Sequence, residues 1–537
     1  RRRQLLLARD RLGIKPLYVA SSPRTGFAFA SEIRALLALP GFEARPDLAA
    51  LDDYLAYRFV PGSATFFEGI RLLEPGHFLL VRRGRAREGA YWAWPGPAGE
   101  DRSGADPGEP LAERRYASEL GAALREAVEL HLQSDVPVGL LLSGGLDSAA
   151  LLALAAPRSP RPLLTYSLGF TRRGEPLPGF WELDQARELA RRYGTRHHEV
   201  VVEAATLADR LTAVVDALEE PLGDPTVFPL ERISQEVQRQ GRVLLSGEGA
   251  DELFGGYTVY RAPAALPPLG GLPLGLRRRL AAWVDRLPFP LPGRNWVRRA
   301  LLPVDDWYRC VGGLFDPAAR ARLYAPDLRS GPVSGSLPSR EEAGRAAPVD
   351  PVARMLELDV TCMLPNDTLL KADKLTMAHS VELRVPFLDD RVVELAARIP
   401  SRLKVRRRSL KYILRRAMAG QLPADLLQRR KLGFTAPVER LLREELRPLV
   451  EDVLLSRRFV ERGLFDAREV DRLVRRATRP AAPGAAASRA DSLAARQVFA
   501  LLMLELWYRR FVDRPAAGRL AGPEAAVSVA AGHVPER

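Results

Sequence analysis

Two short turns in this 537-residue chain gather the residue types that handle phosphate. The first is Leu142-Ser143-Gly144-Gly145-Leu146-Asp147-Ser148, and the second is Ser246-Gly247-Glu248-Gly249-Ala250-Asp251-Glu252. Each follows a short apolar run that reads as a strand, and the first opens a helical pattern. A strand–turn–helix unit directs several backbone N–H groups, and the positive end of a helix dipole, into one concavity. Glycines let the backbone approach an anion closely. Ser143 and Ser148 add hydroxyl donors. Asp147 repels a bare phosphate but can hold the Mg²⁺ that travels with one, and Asp251 offers a second such carboxylate. Three acids within one glycine-bearing turn exceed what packing needs and suit a metal–phosphate site. A Walker-type loop is not the explanation, because no GxxxxGK followed by Ser or Thr occurs.

The elements around these turns define an expected fold. Val136–Leu142, Pro162–Phe170, His198–Val202 and Val243–Ser246 read as apolar strands. Helical patterns over Tyr116–Gln133, Asp147–Ala155, Trp181–Tyr193 and Ala208–Glu219 alternate with them. Strands alternating with helices, and apolar without polar alternation, predict a doubly wound parallel sheet covered on both faces. Residues 351–510 read as mostly helical. The first 95 residues form a separate unit with short strands at Leu5–Ala8, Leu17–Ala20, Phe27–Ala30 and His77–Arg82, and an apolar helix through Leu39. A Gly-, Pro- and Asp-rich stretch then reads as a linker over 96–113. The second unit runs 114–512, and 513–537 is expected to be a mobile tail.

Composition narrows the classes. Hydrophobic residues make up 47% and charged residues 27%, as in ordinary globular proteins. The net charge is +14, but 74 of the 80 basic residues are Arg spread along the chain, with no compact basic domain; nucleic acid is not an expected partner. The two cysteines, Cys310 and Cys362, form neither a CxxC pair nor a disulfide framework, which fits a reducing cytoplasm. The nearly charge-free run 136–156 is long enough for a membrane span, yet its Ser-Gly-Gly and Asp-Ser interruptions make it strand, turn and helix. The six histidines form no ligand cluster. Five of the six lysines lie between Lys371 and Lys431, so a compact ammonium is wanted somewhere in that span.

Taken together, SGGLDS, then SGEGADELFGGY about a hundred residues on, resemble the glutamine-hydrolysing asparagine synthetase family. So do the runs from Lys371 through Lys374, Glu382 and Arg384 to Asp389, and from Arg430 and Lys431 to Pro437. Arg9–Tyr18 and Phe29–Leu36 resemble the back half of that family's class II glutaminase domain. The resemblance implies an incomplete Ntn-type α+β sandwich followed by an α/β ATP pyrophosphatase domain with a helical C-terminal part. It implies amide formation on aspartate through a β-aspartyl-AMP, with ATP and Mg²⁺, and glutamine or ammonia as nitrogen donor. It places AMP on Leu142, Leu168, Ser246 and Gly247, and pyrophosphate on the loop through Ser143, Gly144, Gly145, Asp147 and Ser148. It assigns Mg²⁺ to Asp147 and Asp251, acyl-adenylate formation to Glu248, and acid–base and cationic roles to Glu382 and Lys431. Relatives that amidate other carboxylates or close β-lactam rings are the alternative; a Tyr in place of Glu248 would favour ring closure. A homodimer is left open.

The family's glutaminase nucleophile is an N-terminal Cys, whose α-amine serves as base. This sequence starts at Arg1, so the expectation is a truncated record lacking about a hundred residues, unable to hydrolyse glutamine and limited to free ammonia. Its half-domain is expected to expose apolar surface and strand edges.

Overall fold

The computed structural model describes residues 4–82, 85–96, 109–261, 272–286, 297, 299, 301–308, 310–329, 350–406, 409–429, 436–480 and 488–513. Most of the expected linker, the tail after 513, and Lys431 lie outside them.

The N-terminal unit holds two antiparallel three-stranded sheets. One is ordered β1 (Gln4–Ala8), β5 (His77–Arg82), β6 (Arg85–Ala90); the other is β3 (Gly26–Ala30), β2 (Tyr18–Ser22), β4 (Ile70–Leu72). Leu7, Val19, Leu73 and Leu79 pack together between them. The Arg9–Tyr18 segment is a structural turn. The buried Arg9 guanidinium donates to the carbonyls of Leu73 and Lys15 at 2.8 and 2.9 Å, while Asp10 accepts from the amides of Leu12, Ile14 and Lys15. Two helices, α1 (Ile33–Leu37) and α2 (Leu48–Tyr57), complete the unit. Asp47 caps α2 by accepting from the amides of Ala49 and Ala50.

Part of this half-domain's apolar surface is covered by the second unit, while Leu6, Phe29 and Tyr91 stay exposed. Phe66 and Phe67 stack edge-on against the buried Trp507, with centroids 5.0 and 5.1 Å apart, and Tyr54 donates to the Ala500 carbonyl. Ion pairs reinforce the contact. Arg58 leaves α2 in the left-handed conformation and bonds Asp367 at 2.5 Å and Asp224 at 3.1 Å; Lys371 reaches the same two acids. Lys374 pairs with the buried Glu219, which also accepts from the amides of Ile33 and Arg34. Lys15 pairs with Asp373 at 2.6 Å. The Lys371–Lys374 run therefore works chiefly as the seam between the two units.

The second unit carries the predicted parallel sheet, in the order β10 (Arg196–Glu203), β8 (Leu164–Arg172), β7 (Val138–Leu141), β11 (Val243–Leu245), β12 (Glu382–Arg384). All four contacts along this path are parallel. Its helices are α3 (Glu109–His131), α4 (Leu146–Ala155), α5 (Leu183–Arg192), α6 (Leu207–Leu218) and α7 (Val227–Val237). One strand departs from expectation: β9 (Glu175–Trp181) turns back antiparallel on β8 just before α5. β12 is also absent from the sequence reading, because three residues are too few to show a period. The chain builds outward from β7 in one direction through β8 and β10, then returns to the other side with β11. The order reverses between β7 and β11, the position where open α/β sheets open a crevice at the carboxyl ends of their strands. Helices dominate residues 351–512, including a π-helical stretch Asp359–Thr368 that carries Asp367 to the seam and a long buried helix Arg489–Trp507.

Candidate active site

Both glycine turns stand at that crevice. The amide of Leu142 bonds the Tyr166 carbonyl at 2.8 Å, extending β7 against β8, and the Ser246 amide bonds the Arg384 carbonyl at 2.9 Å. In the first turn Gly144 has φ +72°, and a Cβ there would come within 2.9 Å of Gln185 on α5. Ser148 closes the turn by accepting from the Ser143 amide at 3.2 Å. α4 then begins at Leu146 with Asp147 in its first turn. In the second turn Gly249 has φ +86°, and a side chain there would overlap Leu388. This turn opens α8 (Ala250–Phe254), which carries Asp251.

One cavity is lined by Leu142, Ser143, Gly144, Gly145, Asp147 and Ser148 from the first turn, Leu168 from the middle of β8, and Ser246, Gly247, Glu248 and Asp251 from the second. The two turns touch directly: a Cβ on Gly247 would stand 3.0 Å from that of Asp147. Glu252, the third acid of the second turn, is buried away from the cavity and accepts from the Tyr257 hydroxyl at 2.6 Å.

Between the two aspartates lies a residue that motif reading did not single out. The Lys411 ammonium contacts Asp147 at 2.5 Å and Asp251 at 2.6 Å, with its side chain almost wholly buried. Lys411 has φ +53° just before the helix Tyr412–Ala417, and its amide bonds the Gly255 carbonyl. Gly256 makes room, since a Cβ at 256 would overlap both the Asp251 carboxylate and the Lys411 side chain. Burial pulls the Lys411 ammonium down, but the two carboxylates outweigh it and hold it above the ordinary lysine range. Lys411 belongs to the lysine-rich span, which is the one sequence signal that could have found it. Arg415 and Arg429 add further cationic lining.

The carboxyl groups of the site differ in state. Burial pushes Glu248 up to about 7 against the opposing pull of Lys371, so it exchanges protons near neutrality. Glu182, at the start of α5, is likewise raised to about 7 by burial. Asp147 and Asp251 sit across a single cation and present hard oxygen donors. Two carboxylates with phosphate oxygens completing the shell are what Mg²⁺ ordinarily takes, so these residues fit that ion. Among the described residues no cluster of three or more His, Cys, Asp or Glu is placed to hold a metal ion.

Glu382 requires a correction. It stands at the first residue of β12, paired in register with Val243, three residues before Ser246. Strand register thus puts it toward the opposite ends of the strands. There it is half exposed, bonds Arg384 at 2.9 Å, and lines a separate open groove with Arg242 and Asp135. The Arg384 hydrogen bond lowers its pKa, the reverse of what an acid poised near neutrality needs. Cys310 and Cys362 are both buried, as expected of small packing residues.

With the geometry in place, the similarities to known proteins are specific. The family model for asparagine synthase matches residues 119–509, nearly three-quarters of the chain. The chain belongs to the asparagine synthase family. A glutamine amidotransferase domain matches residues 1–92. A Mycobacterium tuberculosis protein assigned by name to the glutamine-hydrolyzing asparagine synthetases is 39% identical over 449 residues, covering 82% of this chain and 66% of that protein. Asparagine synthetase (glutamine-hydrolyzing) 1 of Bacillus subtilis is 33% identical over 451 residues, covering 83% and 68%. A Gibberella zeae protein named amidase chry2 is 26% identical over 564 residues, covering 96% and 79%. The chain thus spans about two-thirds of the length of the mycobacterial and Bacillus relatives. No helix among the described residues is long and apolar enough to cross a membrane.

Proposed function

We propose that this chain activates the side-chain carboxylate of aspartate with ATP and converts it to an amide, releasing AMP and pyrophosphate. The observation that carries the reading is the convergence of Asp147 and Asp251, one from each glycine turn, on the Lys411 ammonium in one cavity. The aspartate carboxylate attacks the α-phosphorus, the bond to the bridging oxygen breaks, and pyrophosphate departs. Lys411 and the first-turn amides offset the charge that develops on it. Asp147 and Asp251 would hold the Mg²⁺ that accompanies ATP, which would supply further charge neutralisation at the same phosphates. Leu142, Leu168, Ser246 and Gly247 line the nucleoside end. Ammonia, released from glutamine or supplied free, then attacks the β-aspartyl-AMP carbonyl. The tetrahedral centre collapses with loss of AMP, and Glu248, ionising near neutrality, takes the proton from nitrogen.

The test is pyrophosphate release with Mg²⁺, ATP, ammonium and a panel of carboxylic acids. Aspartate-dependent release, abolished in Asp147→Ala, supports the reading. Release with another acid alone keeps the activation chemistry and replaces the acceptor, a substitution that the similarity to amidase chry2 gives reason to include. No acid-dependent release refutes the reading.

A further inference from the structure

The proposed chemistry leaves one acid of the cavity without a task. Glu182 follows β9 and begins α5, and it lines the cavity shared by the two glycine turns. The backbone fixes it there. Gly169, one residue past Leu168 on β8, packs so tightly against Trp181 and Leu183 that a Cβ at 169 would come within 2.9 Å of each. One turn further along α5, Gln185 presses on Gly144 of the first turn. Glu182 is therefore held between Gly169 in the middle of β8 and the first glycine turn.

Neither neighbouring cation pairs with Glu182. Arg429 pairs with Asp425 at 2.7 Å and reaches Glu188 at 3.5 Å, while Arg415 donates to the carbonyls of Leu410, Leu427 and Arg429. Burial is the sole cause that raises the Glu182 carboxyl, with no charged neighbour contributing. A desolvated carboxyl lining a ligand cavity is costly unless a bound molecule supplies a donor. It also repels phosphate, so the group it meets belongs to the nucleoside end of the ligand.

We propose that Glu182 recognises the nucleoside of ATP by accepting a hydrogen bond from one of its neutral donors, and so sets nucleotide selectivity. This rests on the reading of the cavity as an ATP site. The donors available are the exocyclic amine of adenine and the ribose hydroxyls. An inosine nucleotide presents a carbonyl where adenine has its amine, which a carboxylate repels and a glutamine amide can satisfy. Sites built to pair a specific donor reject analogues that lack it strongly, because the buried acceptor is left unpaired.

The experiment is calorimetric binding of Mg²⁺ with ATP, ITP, 2′-deoxy-ATP and 3′-deoxy-ATP to the full chain, wild type, Glu182→Gln and Glu182→Ala, with thermal unfolding as a check on folding. The expected result is that Glu182→Ala weakens ATP at least tenfold. Glu182→Gln is expected to collapse the preference for ATP over ITP. A collapsed preference over a deoxy-ATP, with base preference kept, also supports the proposal and places the contact on the ribose. Wild-type selectivity and affinity in both folded variants overturn it. So does a loss confined to the carboxylate substrate's KM with ATP binding intact. Failure of the wild type to bind any of the four nucleotides would instead refute the ATP-site reading itself.

Discussion

Replacing Lys411 by Met tests the geometry of the site through two independent readouts. The ammonium is nearly buried and lies 2.5 Å from Asp147 and 2.6 Å from Asp251, whose side chains keep 24% and 20% of their exposure. Removing one partner from a buried ion pair costs ~3–5 kcal/mol, because the remaining charges lose their compensation. Residual solvation of both aspartates puts Lys411→Met at the lower end, ~3 kcal/mol. In a unit of about 400 residues, with an unfolding entropy of ~0.8 kcal/mol/K, that corresponds to a fall of about 4 °C in Tm. Mg²⁺ should then raise the Tm of the variant more than that of the wild type, since a cation can enter between two carboxylates that no longer share an ammonium. Pyrophosphate release should fall at least a hundredfold, as an interaction that strengthens when charge develops on the leaving group is lost. Differential scanning calorimetry with and without Mg²⁺, alongside the release assay, checks both. A Tm within 2 °C of wild type together with activity within twofold would refute the role given to Lys411.

Other outcomes follow from the same contacts. Gly256→Ala should abolish activity while sparing most secondary structure by circular dichroism, because the added methyl collides with Asp251 and Lys411; near-normal turnover would contradict the described packing. Glu382→Ala should leave turnover within about twofold, since that carboxylate pairs with Arg384 outside the cavity; a hundredfold loss would restore it to the site. Glu220, buried and accepting from the Phe66 amide, is raised to about 7, first by burial. The native state therefore keeps a proton that the unfolded chain releases from about pH 4.5 upward, so this group's contribution to stability falls as pH rises toward 7. Glu220→Gln should stabilise the protein by ~2–3 kcal/mol at pH 8 and by little at pH 5, measured by urea unfolding. An equal effect at both pH values would count against it.

The parts of the fold legible in the sequence were those set by local chemistry. Apolar strands of four or more residues, a glycine turn and a helix start can be read within a dozen residues, and both turns fall at the ends of β7 and β11 accordingly. Short elements escaped: β12 has three residues, and β9 holds Pro176 and Pro178, which mask a strand pattern. Long-range partners escaped for a different reason. Lys411 lies 264 residues from Asp147, and its placement depends on a left-handed backbone position and on the missing side chain of Gly256. Glu182 was invisible because neither its type nor its spacing is unusual; only the packing of its neighbours against Gly169 and Gly144 brings it to the cavity. Glu382 misled because membership of a motif says nothing of depth along a strand, which the register with Val243 decides.

The most direct measurement follows oxygen. With aspartate labelled by ¹⁸O in its side-chain carboxylate, and Mg²⁺, ATP and ammonium supplied to the full chain, the account predicts one ¹⁸O atom in the phosphate of AMP, with pyrophosphate unlabelled. Label in inorganic phosphate with ADP as the nucleotide product, or AMP formed without label, would contradict activation through an acyl-adenylate at the two turns.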